Sequence, residues 1–232
     1  MDAEFDALRR FRYIVVEGPI GAGKTSLANK LAQRLGADVM TERPADNPFL
    51  ERFYADNAGY ALPTQLFFLF QRLRQVRELA QPGMFTQGLV SDFMFEKDAL
   101  FARLTLSDEE YRLYAQMVRQ LAPQIPRPDL VLWLQAGPQT LLGRIHRRGL
   151  AMERGITLAY LQRLCDAYAE HFQRYDGAPV FALDTEHFNP IEREADFALL
   201  VQRLAAFHGR REWLVAPGEA ADGGLYTPAR PK

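Results

Sequence analysis

The sequence predicts an α/β fold in which helices cover both faces of a parallel β-sheet. Short apolar runs rich in β-forming residues alternate along the chain with longer helical patterns, which is the order that such a fold requires. The chain has 232 residues, which is enough for one well-filled core but short for two full domains. Its 48% hydrophobic and 25% charged residues exclude a mostly disordered or coiled-coil protein.

Five strands and six helices are predicted in alternating order. The strands are expected at residues 13–17, 38–41, 88–91, 130–135 and 180–184, where the apolar runs are short. The helices are expected at residues 24–34, 62–79, 107–121, 138–148, 157–172 and 191–207, where apolar residues recur every three or four positions. Ser107 and Glu110 form a capping box, and Pro138 has the position of a first helical residue.

One domain is expected over residues 13–208, with a short segment on either side. Residues 1–12 form an N-terminal extension that is charged and lacks the apolar stretch of a secretory signal. From residue 209 onward, glycines and prolines interrupt every periodicity. Residues 209–232 are therefore expected to form a flexible C-terminal tail.

Charge and cysteine content restrict the partners and the compartment. The 28 Lys and Arg residues nearly balance the 29 Asp and Glu residues, which disfavours nucleic-acid binding through a basic field. The apolar runs are too short to cross a bilayer. The single cysteine, Cys165, excludes an internal disulfide and fits a reducing compartment. We expect a cytoplasmic protein that binds neither nucleic acid nor membranes.

A glycine-rich segment joins the first predicted strand to the first predicted helix. It matches GxxxxGK[ST] in the strand-to-helix context that this pattern requires. Backbone N–H groups of such a loop surround phosphates, its lysine reaches the terminal phosphates, and its threonine is a ligand for Mg²⁺. The residues predicted to bind ATP are Gly18, Pro19, Ile20, Gly21, Ala22, Gly23, Lys24, Thr25 and Ser26.

Two acidic residues follow predicted strands. Asp92 closes the strand at 88–91, and Glu42 follows the strand at 38–41. The carboxyl ends of parallel strands meet at one edge of a sheet, where ligands bind. There Asp92 can orient Mg²⁺, although an N-cap of the next helix is the alternative. Glu42 can remove the proton of a bound hydroxyl, or lie in a solvated loop.

Gln65 and Arg72 are candidates for reading a base. They lie seven residues apart on one predicted helix, about 20° from the same direction, so both can face one pocket. A glutamine amide offers a donor and an acceptor in one plane, which suits the edge of adenine or cytosine better than that of thymine. Each residue can instead be an ordinary surface or helix-contact side chain.

Arg144 and Arg148 are candidates for binding phosphates. They lie one helical turn apart and share a face, so both can close on phosphates as charge develops during transfer. Arg147 beside them is equally well explained as a cation at the negative end of a helix.

Together these motifs resemble the deoxynucleoside kinase family, in particular the branch of deoxycytidine, deoxyguanosine and deoxyadenosine kinases. The likeness runs from about residue 13 to residue 207 and depends on the spacing between motifs. Glu42 stands where the family has the base of a Glu-Pro-like motif, here with Arg43 inserted before Pro44. Tyr54 and Gln65 keep the eleven-residue separation between the sugar-binding tyrosine and the base-reading glutamine.

Two further motifs match. Arg72 corresponds to an arginine of the branch that acts on cytosine and purine nucleosides, and Asp98 to its carboxylate partner. Glu153 follows Arg148 as the family's lid glutamate that binds the 3′-hydroxyl. The resemblance implies a three-layer P-loop nucleoside or nucleotide kinase-like fold, with a five-stranded parallel sheet flanked by helices and a short arginine-containing lid.

The resemblance also implies an activity. The family transfers a phosphoryl group from ATP, with Mg²⁺, to the 5′-hydroxyl of a deoxynucleoside in nucleotide salvage, and its members are commonly dimers. Here the acceptor would be deoxyadenosine, deoxyguanosine or deoxycytidine.

The implied catalytic residues are Glu42, Lys24, Arg148 and Arg144. The implied metal ligands are Thr25 and Asp92. The residues implied in substrate binding are Glu42, Tyr54, Gln65, Arg72, Asp92, Asp98 and Glu153. One phenylalanine among residues 67, 68 and 70 is expected to stack on the base, and residues 184–188 fall where the family holds the donor adenine.

The chain departs from the family pattern at two positions. Phe93 and Leu150 stand where arginines are usual, which puts transition-state stabilisation in question. Lys97 is a possible substitute, but the spacing does not show it. Two alternatives therefore stay open: a nucleoside monophosphate kinase such as a thymidylate kinase, and a nucleotide-binding subunit without turnover.

Overall fold

Runs of apolar residues place the strands of the central sheet in the interior. The computed structural model describes residues 2–79, 88–121 and 125–215. The strands are β1 Tyr13–Glu17, β2 Asp38–Met40, β3 Leu89–Ser91, β4 Leu130–Gln135, β5 Val180–Asp184 and β6 Arg211–Leu214. All neighbours are parallel and the order is β2-β3-β1-β4-β5-β6. Every residue of β4 and β5 is buried, as expected for parallel strands covered on both faces.

Helices fill the connections between the strands and flank the sheet. They are α1 Asp2–Leu8, α2 Lys24–Leu35, α3 Leu50–Ala55, α4 Asn57–Leu79, α5 Lys97–Thr105, α6 Asp108–Leu121, α7 Pro138–Arg148, α8 Leu158–Arg174 and α9 Glu194–Ala206. α1, which lies in the predicted N-terminal extension, packs against both α2 and α9 and buries Leu8 in the core, and α5 packs against both α4 and α8. None of the helices in the described ranges is both long and apolar enough to cross a bilayer.

The predicted elements are present, with differences at their ends. The capping box is confirmed, because the Ser107 N–H donates to Glu110 and the Glu110 N–H donates to Ser107 Oγ. Pro138 opens α7 as predicted. α4 begins at Asn57 rather than at residue 62, because the helix continues through the poor helix formers Gly59 and Pro63. The pattern missed α1, α3 and α5, which have 7, 6 and 9 residues and so fewer than three turns each.

The sheet has six strands rather than the five predicted. Residues 211–214 were expected to lie in the tail, but they form β6, which pairs with β5. Leu214 on β6 is buried, and the guanidinium of Arg211 donates to the Phe172 carbonyl at the end of α8. The glycines and prolines that suggested a tail follow this strand, and residues 216–232 lie outside the described ranges.

Replacing Leu214 by alanine is expected to lower the free energy of unfolding by about 2–3 kcal/mol, because it leaves a cavity between β6 and the core. Urea unfolding measures this change. The control is Glu212→Gln on the same strand. It removes the ion pair between Glu212 and Arg203 of α9 and should cost less than about 1 kcal/mol. Equal stability of Leu214→Ala and the unmodified chain would contradict the assignment of β6 to the core.

Candidate active site

The glycine-rich loop between β1 and α2 has a backbone that only glycine can form. Gly18 has a φ of +154°, and a Cβ atom there would lie 2.5 Å from the carbonyl oxygen of Leu134 on β4. The Lys24 ammonium donates to the carbonyls of Gly18 at 2.8 Å and Pro19 at 3.1 Å. Burial, and then repulsion by Lys97, lowers the pKa of Lys24 to about 8. The Lys24 ammonium is therefore held against the backbone of the predicted phosphate loop, where it can bind an anion in that loop.

Glu17 fixes the base of this loop, and sequence analysis did not identify it. Its side chain is buried at the end of β1. One oxygen accepts from the Gly18 N–H at 2.9 Å and from the Tyr168 hydroxyl at 2.8 Å, and the other from the Met94 N–H at 3.1 Å. A buried carboxylate with three donors is well satisfied, so Glu17 ties the loop to α8 and to the segment after β3.

Asp92 joins the phosphate loop to the segment after β2. The Thr25 hydroxyl donates to one of its carboxylate oxygens, and the Glu42 N–H donates to the other at 2.7 Å. Burial raises the pKa of Asp92, and the Thr25 hydroxyl offsets part of this effect. The N-cap alternative is wrong, because α5 begins only at Lys97 with Glu96 at its N-cap.

The oxygens of Thr25 and Asp92 fit a hard cation such as Mg²⁺. Their direct contact places a hydroxyl and a carboxylate oxygen side by side at the end of the phosphate loop. Within the described part of the chain, no three His, Cys, Asp or Glu side chains form a metal-binding group. Mg²⁺ needs few protein ligands when phosphate oxygens and water supply the others, so this donor set suits a nucleotide-bound ion.

Glu42 is held between two cations. One carboxylate oxygen accepts from Arg72 on α4, and the other accepts from the Lys97 ammonium at 2.9 Å. Burial raises the pKa of Glu42, but Lys97 and Arg72 together outweigh burial and hold the pKa well below its usual range. The solvated-loop alternative for Glu42 is therefore wrong, and its carboxylate is ionised in the folded chain.

Arg72 and Gln65 face one cavity from α4, as their spacing predicted. Arg72 is buried, forms an ion pair with Asp98 as well as with Glu42, and lies 5.2 Å from the ring centre of Phe68. The amide nitrogen of Gln65 donates to the Thr105 hydroxyl at 3.2 Å. Its amide oxygen is buried, and none of the described residues donates to it. A buried acceptor without a donor is costly, so this oxygen is available to a ligand.

The lid, residues 144–155 from the last turn of α7 to the start of the segment before α8, brings Glu153 and Arg148 to the same cavity. Arg148 at the end of α7 donates to both carboxylate oxygens of Glu153, at 3.1 and 2.6 Å. A Cβ atom on Gly155 would lie 2.4 Å from the backbone oxygen of Tyr54, so the lid packs closely against α3 at that point. Burial raises the pKa of Tyr54 well above its usual value. Tyr54 therefore keeps a neutral hydroxyl beside Glu153.

These side chains line a cavity enclosed by the phosphate loop, α3, α4, α5 and the lid. This cavity and the second one described below are named the acceptor cavity and the donor cavity, for the roles that we propose for them. Aromatic residues form much of its wall, as in most small-molecule sites. Its lining consists of Ile20, Gly21, Lys24, Thr25, Glu42, Pro44, Leu50, Phe53, Tyr54, Thr64, Gln65, Phe68, Arg72, Asp92, Lys97, Phe101, Arg148, Glu153 and Tyr160.

A second, donor cavity lies on the other side of the loop and shares Gly21 and Arg148 with the acceptor cavity. Its lining consists of Gly21, Ala22, Gly23, Ser26, Leu27, Leu134, Arg144, Arg147, Arg148, Thr185, Phe188, Asn189, Pro190, Ile191 and Glu192. Arg144 donates to the Thr185 hydroxyl at 2.9 Å. Two cavities that meet at a phosphate loop and an arginine can hold a donor and an acceptor end to end.

The structure brings most predicted site residues together. Gly18 and Pro19 line neither cavity, and Asp98 contacts the site through Arg72. Of the three phenylalanines expected near the base, Phe68 lines the acceptor cavity and Phe70 is 46% exposed. Sequence analysis did not identify the other aromatic residues of the wall, because their spacing is that of ordinary core residues; they are Phe53, Phe101 and Tyr160.

A parallel sheet with a phosphate loop at its carboxyl edge, an ionised glutamate beside that loop and two adjoining cavities define a P-loop phosphotransferase. Comparison with known proteins specifies the family. The model of the deoxynucleoside kinase family matches residues 14–207, and the chain belongs to this family.

Named relatives and a solved structure agree with this assignment. The chain is 31% identical over 199 residues to deoxyguanosine kinase of Bacillus subtilis (strain 168), with 84% of this chain and 94% of the relative covered. It is 28% identical over 201 residues to deoxyadenosine/deoxycytidine kinase of the same organism, with 83% and 91% covered. A structure of deoxyadenosine kinase from M. mycoides shares the fold, with a TM-score of 0.73, 22% identity, and 84% of this chain and 100% of that chain covered.

The chain is therefore an enzyme, an ATP-dependent deoxynucleoside kinase that forms the monophosphate. The two alternatives, a thymidylate-like kinase and a subunit without turnover, are set aside by the family and by relatives that are named as deoxynucleoside kinases. The expected three-layer P-loop kinase fold is confirmed, with the strand count corrected.

Proposed function

We propose that the enzyme phosphorylates the 5′-hydroxyl of deoxyadenosine, deoxyguanosine or deoxycytidine in the acceptor cavity. The observation that carries this proposal is that Gln65 and Arg72 of α4 are buried and line that cavity, with Arg72 paired to the buried Asp98 of α5. The named relatives act on deoxyguanosine, deoxyadenosine and deoxycytidine, which supports the same substrate class.

Glu42 would be the general base. The 5′-O–H bond breaks as its proton passes to a Glu42 oxygen, and the 5′-oxygen forms a bond to the γ-phosphorus of ATP. The bond between that phosphorus and the bridging oxygen breaks, and its electron pair leaves with ADP. A carboxylate has about four lone-pair positions, so Glu42 can accept the hydroxyl while Arg72 and Lys97 remain bound to it.

Lys24, Arg144 and Arg148 would stabilise the charge of the transferring phosphoryl group. Lys24 and Arg148 line the acceptor cavity, and Arg144 lines the donor cavity one helical turn before Arg148. The backbone N–H groups of residues 18–26 would bind the remaining phosphate oxygens. Thr25 and Asp92 would hold Mg²⁺, which neutralises phosphate charge when it is bound.

Tyr54 and Glu153 would bind the 3′-hydroxyl of the sugar. Tyr54 has a neutral hydroxyl, and Glu153 is a buried carboxylate whose present partner, Arg148, lies at the junction of the two cavities. A sugar hydroxyl that donates to Glu153 would loosen this pair and free the guanidinium for the phosphates.

Base selection would follow from the unpaired amide oxygen of Gln65 and the guanidinium of Arg72. The amide oxygen accepts from the exocyclic amino group of adenine or cytosine, while Arg72, which is paired with Asp98, donates to a base nitrogen or carbonyl. Thymine carries the carbonyl O4 where cytosine carries its exocyclic amino group. In the same pose O4 would face the Gln65 oxygen, so two acceptors would meet and both would stay unpaired, and the thymine N3–H could reach that oxygen only if the base shifted.

We expect kcat/KM for thymidine to be at least tenfold below that for the best of the other three deoxynucleosides, since a buried acceptor left unpaired costs about 1–3 kcal/mol. Parallel steady-state assays with ATP and the four deoxynucleosides measure this ratio. Gln65→Leu should reduce the preference, while Gln162→Leu on α8, outside both cavities, should leave it unchanged. A thymidine preference would overturn the role given to the Gln65 group, and no product from any of the four would overturn the proposed function.

We further propose that the enzyme works as a cytoplasmic homodimer in nucleotide salvage and that it binds neither nucleic acid nor membranes. The resemblance to dimeric family members supports the dimer. The nearly balanced charge and the single buried cysteine support the rest.

A further inference from the structure

Lys97 is a buried cation in an unfavourable position. It is the first residue of α5 and only 5% exposed, and its side chain lines the acceptor cavity. A helix N-terminus carries partial positive charge and repels an ammonium group, and burial removes the water that would solvate it. Neither the helix nor the core gains stability from a lysine at this position, so its stabilising partners must lie in the cavity.

The groups around Lys97 are those of the transfer reaction. Its ammonium donates to a Glu42 oxygen at 2.9 Å, and the ring centre of Phe101, one turn along α5, lies 5.4 Å away. Lys24 lines the same cavity, and repulsion by Lys97 contributes to its lowered pKa. Two ammonium groups that repel each other beside the phosphate loop form a site that an anion would stabilise.

The position that carries the family's arginine does not provide a cation here. Phe93 is buried beside Met40 and Leu89, and it lines neither the acceptor cavity nor the donor cavity. Leu150, at the other departure from the pattern, is 40% exposed. Lys97 brings a positive charge to the reacting end of the acceptor cavity from a different element, α5.

We propose that Lys97 is a catalytic residue whose ammonium contacts the 5′-oxygen and the transferring phosphoryl group during the reaction. This inference rests on the proposed function. An ammonium has three donors, and Glu42 uses one, which leaves two for the reacting oxygens. When Glu42 takes the 5′-proton it becomes neutral and its ion pair with Lys97 weakens. The ammonium then binds the phosphoryl oxygens more strongly in the transition state than in the ground state, which lowers the barrier.

Lys97→Met tests this role, because methionine keeps the length of the stem and loses the charge. We expect kcat to fall by about 10²–10³-fold, as when one transition-state donor is removed. KM for ATP and for the deoxynucleoside should stay within about threefold, because the contact strengthens mainly in the transition state. Lys97→Arg keeps a cation and should retain kcat within about tenfold. Arg103→Met is the matched control, since it removes an exposed cation from the same helix and should leave kcat unchanged.

The double variant Glu42→Gln/Lys97→Met separates contact with the reacting atoms from positioning of Glu42. If Lys97 contacts the reacting oxygens, the double variant is at least tenfold slower than Glu42→Gln alone. Equal rates of the two would show that Lys97 acts only through Glu42 and would overturn the proposal. Full activity of Lys97→Met would also overturn it. Nucleoside binding and the thermal midpoint of each variant identify misfolding, and an unmodified enzyme without activity would instead refute the proposed function.

Discussion

Glu42→Gln is expected to lower kcat by about 10³-fold, because general-base catalysis contributes about 10²–10⁴-fold and an amide cannot take the proton of the 5′-hydroxyl. Glutamine has the shape of glutamate, and Arg72 keeps its ion pair with Asp98. The cavity should therefore keep its form, and KM for the deoxynucleoside and for ATP should change by less than about fivefold. Coupled assays of ADP release at saturating substrates measure kcat, and single-turnover assays separate the chemical step from product release.

The control for this substitution is Glu51→Gln on α3, which changes an exposed carboxylate outside both cavities. It should leave kcat within twofold. If Glu42→Gln kept more than a tenth of the normal kcat, the proton would have to leave by another route. The assignment of Glu42 as the base would then be wrong, even though the enzyme remained a deoxynucleoside kinase.

The low pKa of Glu42 is compatible with its role as a base. Burial raises the pKa and the cations Lys97 and Arg72 lower it further than burial raises it, so the carboxylate is ionised but weakly basic. In a loose phosphoryl-transfer transition state, the bond to the acceptor oxygen forms late, and the acidity of that oxygen rises as it forms. A weak base is then sufficient, because the proton passes to Glu42 as this bond forms in the transition state, when the 5′-oxygen is most acidic.

Helix α4 connects recognition of the base with placement of Glu42. Arg72 on this helix pairs with both Asp98 and Glu42. Gln71 and Gln75 donate to the backbone carbonyls on the two sides of Glu42, those of residues 43 and 41, at 3.2 and 3.0 Å. The same helix therefore carries the base-reading side chains and holds the segment of the catalytic carboxylate. A change in how the base contacts Arg72 reaches Glu42 through one side chain.

Local patterns in the sequence were sufficient for the phosphate loop and for the common direction of Gln65 and Arg72 on α4, whereas the role of these two residues came from the resemblance to the family. Glycines followed by Lys24 have one well-understood use between a strand and a helix, and the seven-residue step from Gln65 to Arg72 fixes their common direction on any helix. Glu42 and Asp92 could be predicted as neighbours because each follows a strand, and parallel strands bring their carboxyl ends to one edge of the sheet.

Other features depend on contacts between distant segments and could not be read from the sequence. Lys97 and Glu42 are 55 residues apart in the sequence, and the residues next to Lys97 do not distinguish it from a surface lysine. Glu17 looks in the sequence like a solvated glutamate at a strand end, because its donors lie in the phosphate loop, on α8 and in the segment after β3. β6 has four residues and one buried side chain, so only its pairing with β5 reveals it as a strand.

Arg148→Met is expected to lower kcat by about 10³-fold, at the lower end of the 10³–10⁵-fold contribution of an arginine that stabilises a transferring phosphoryl group. Arg148 is the side chain that lines both cavities, so its guanidinium can reach the donor phosphates and the acceptor at once. Its guanidinium also donates to both carboxylate oxygens of Glu153. The loss should therefore be larger in kcat than in either KM, because the new contacts form only when both substrates are present.

Two further variants make this prediction specific. Arg148→Lys keeps the charge but loses the planar pair of donors, and should recover only about a tenth of the lost rate. Arg154→Met is the control, because Arg154 belongs to the same lid, is exposed, and lines neither cavity. If Arg148→Met raised KM for the deoxynucleoside and left kcat unchanged, Arg148 would act by orienting Glu153 toward the sugar. The charge of the transferring group would then have to be stabilised by Lys24, Arg144 and Lys97 without it.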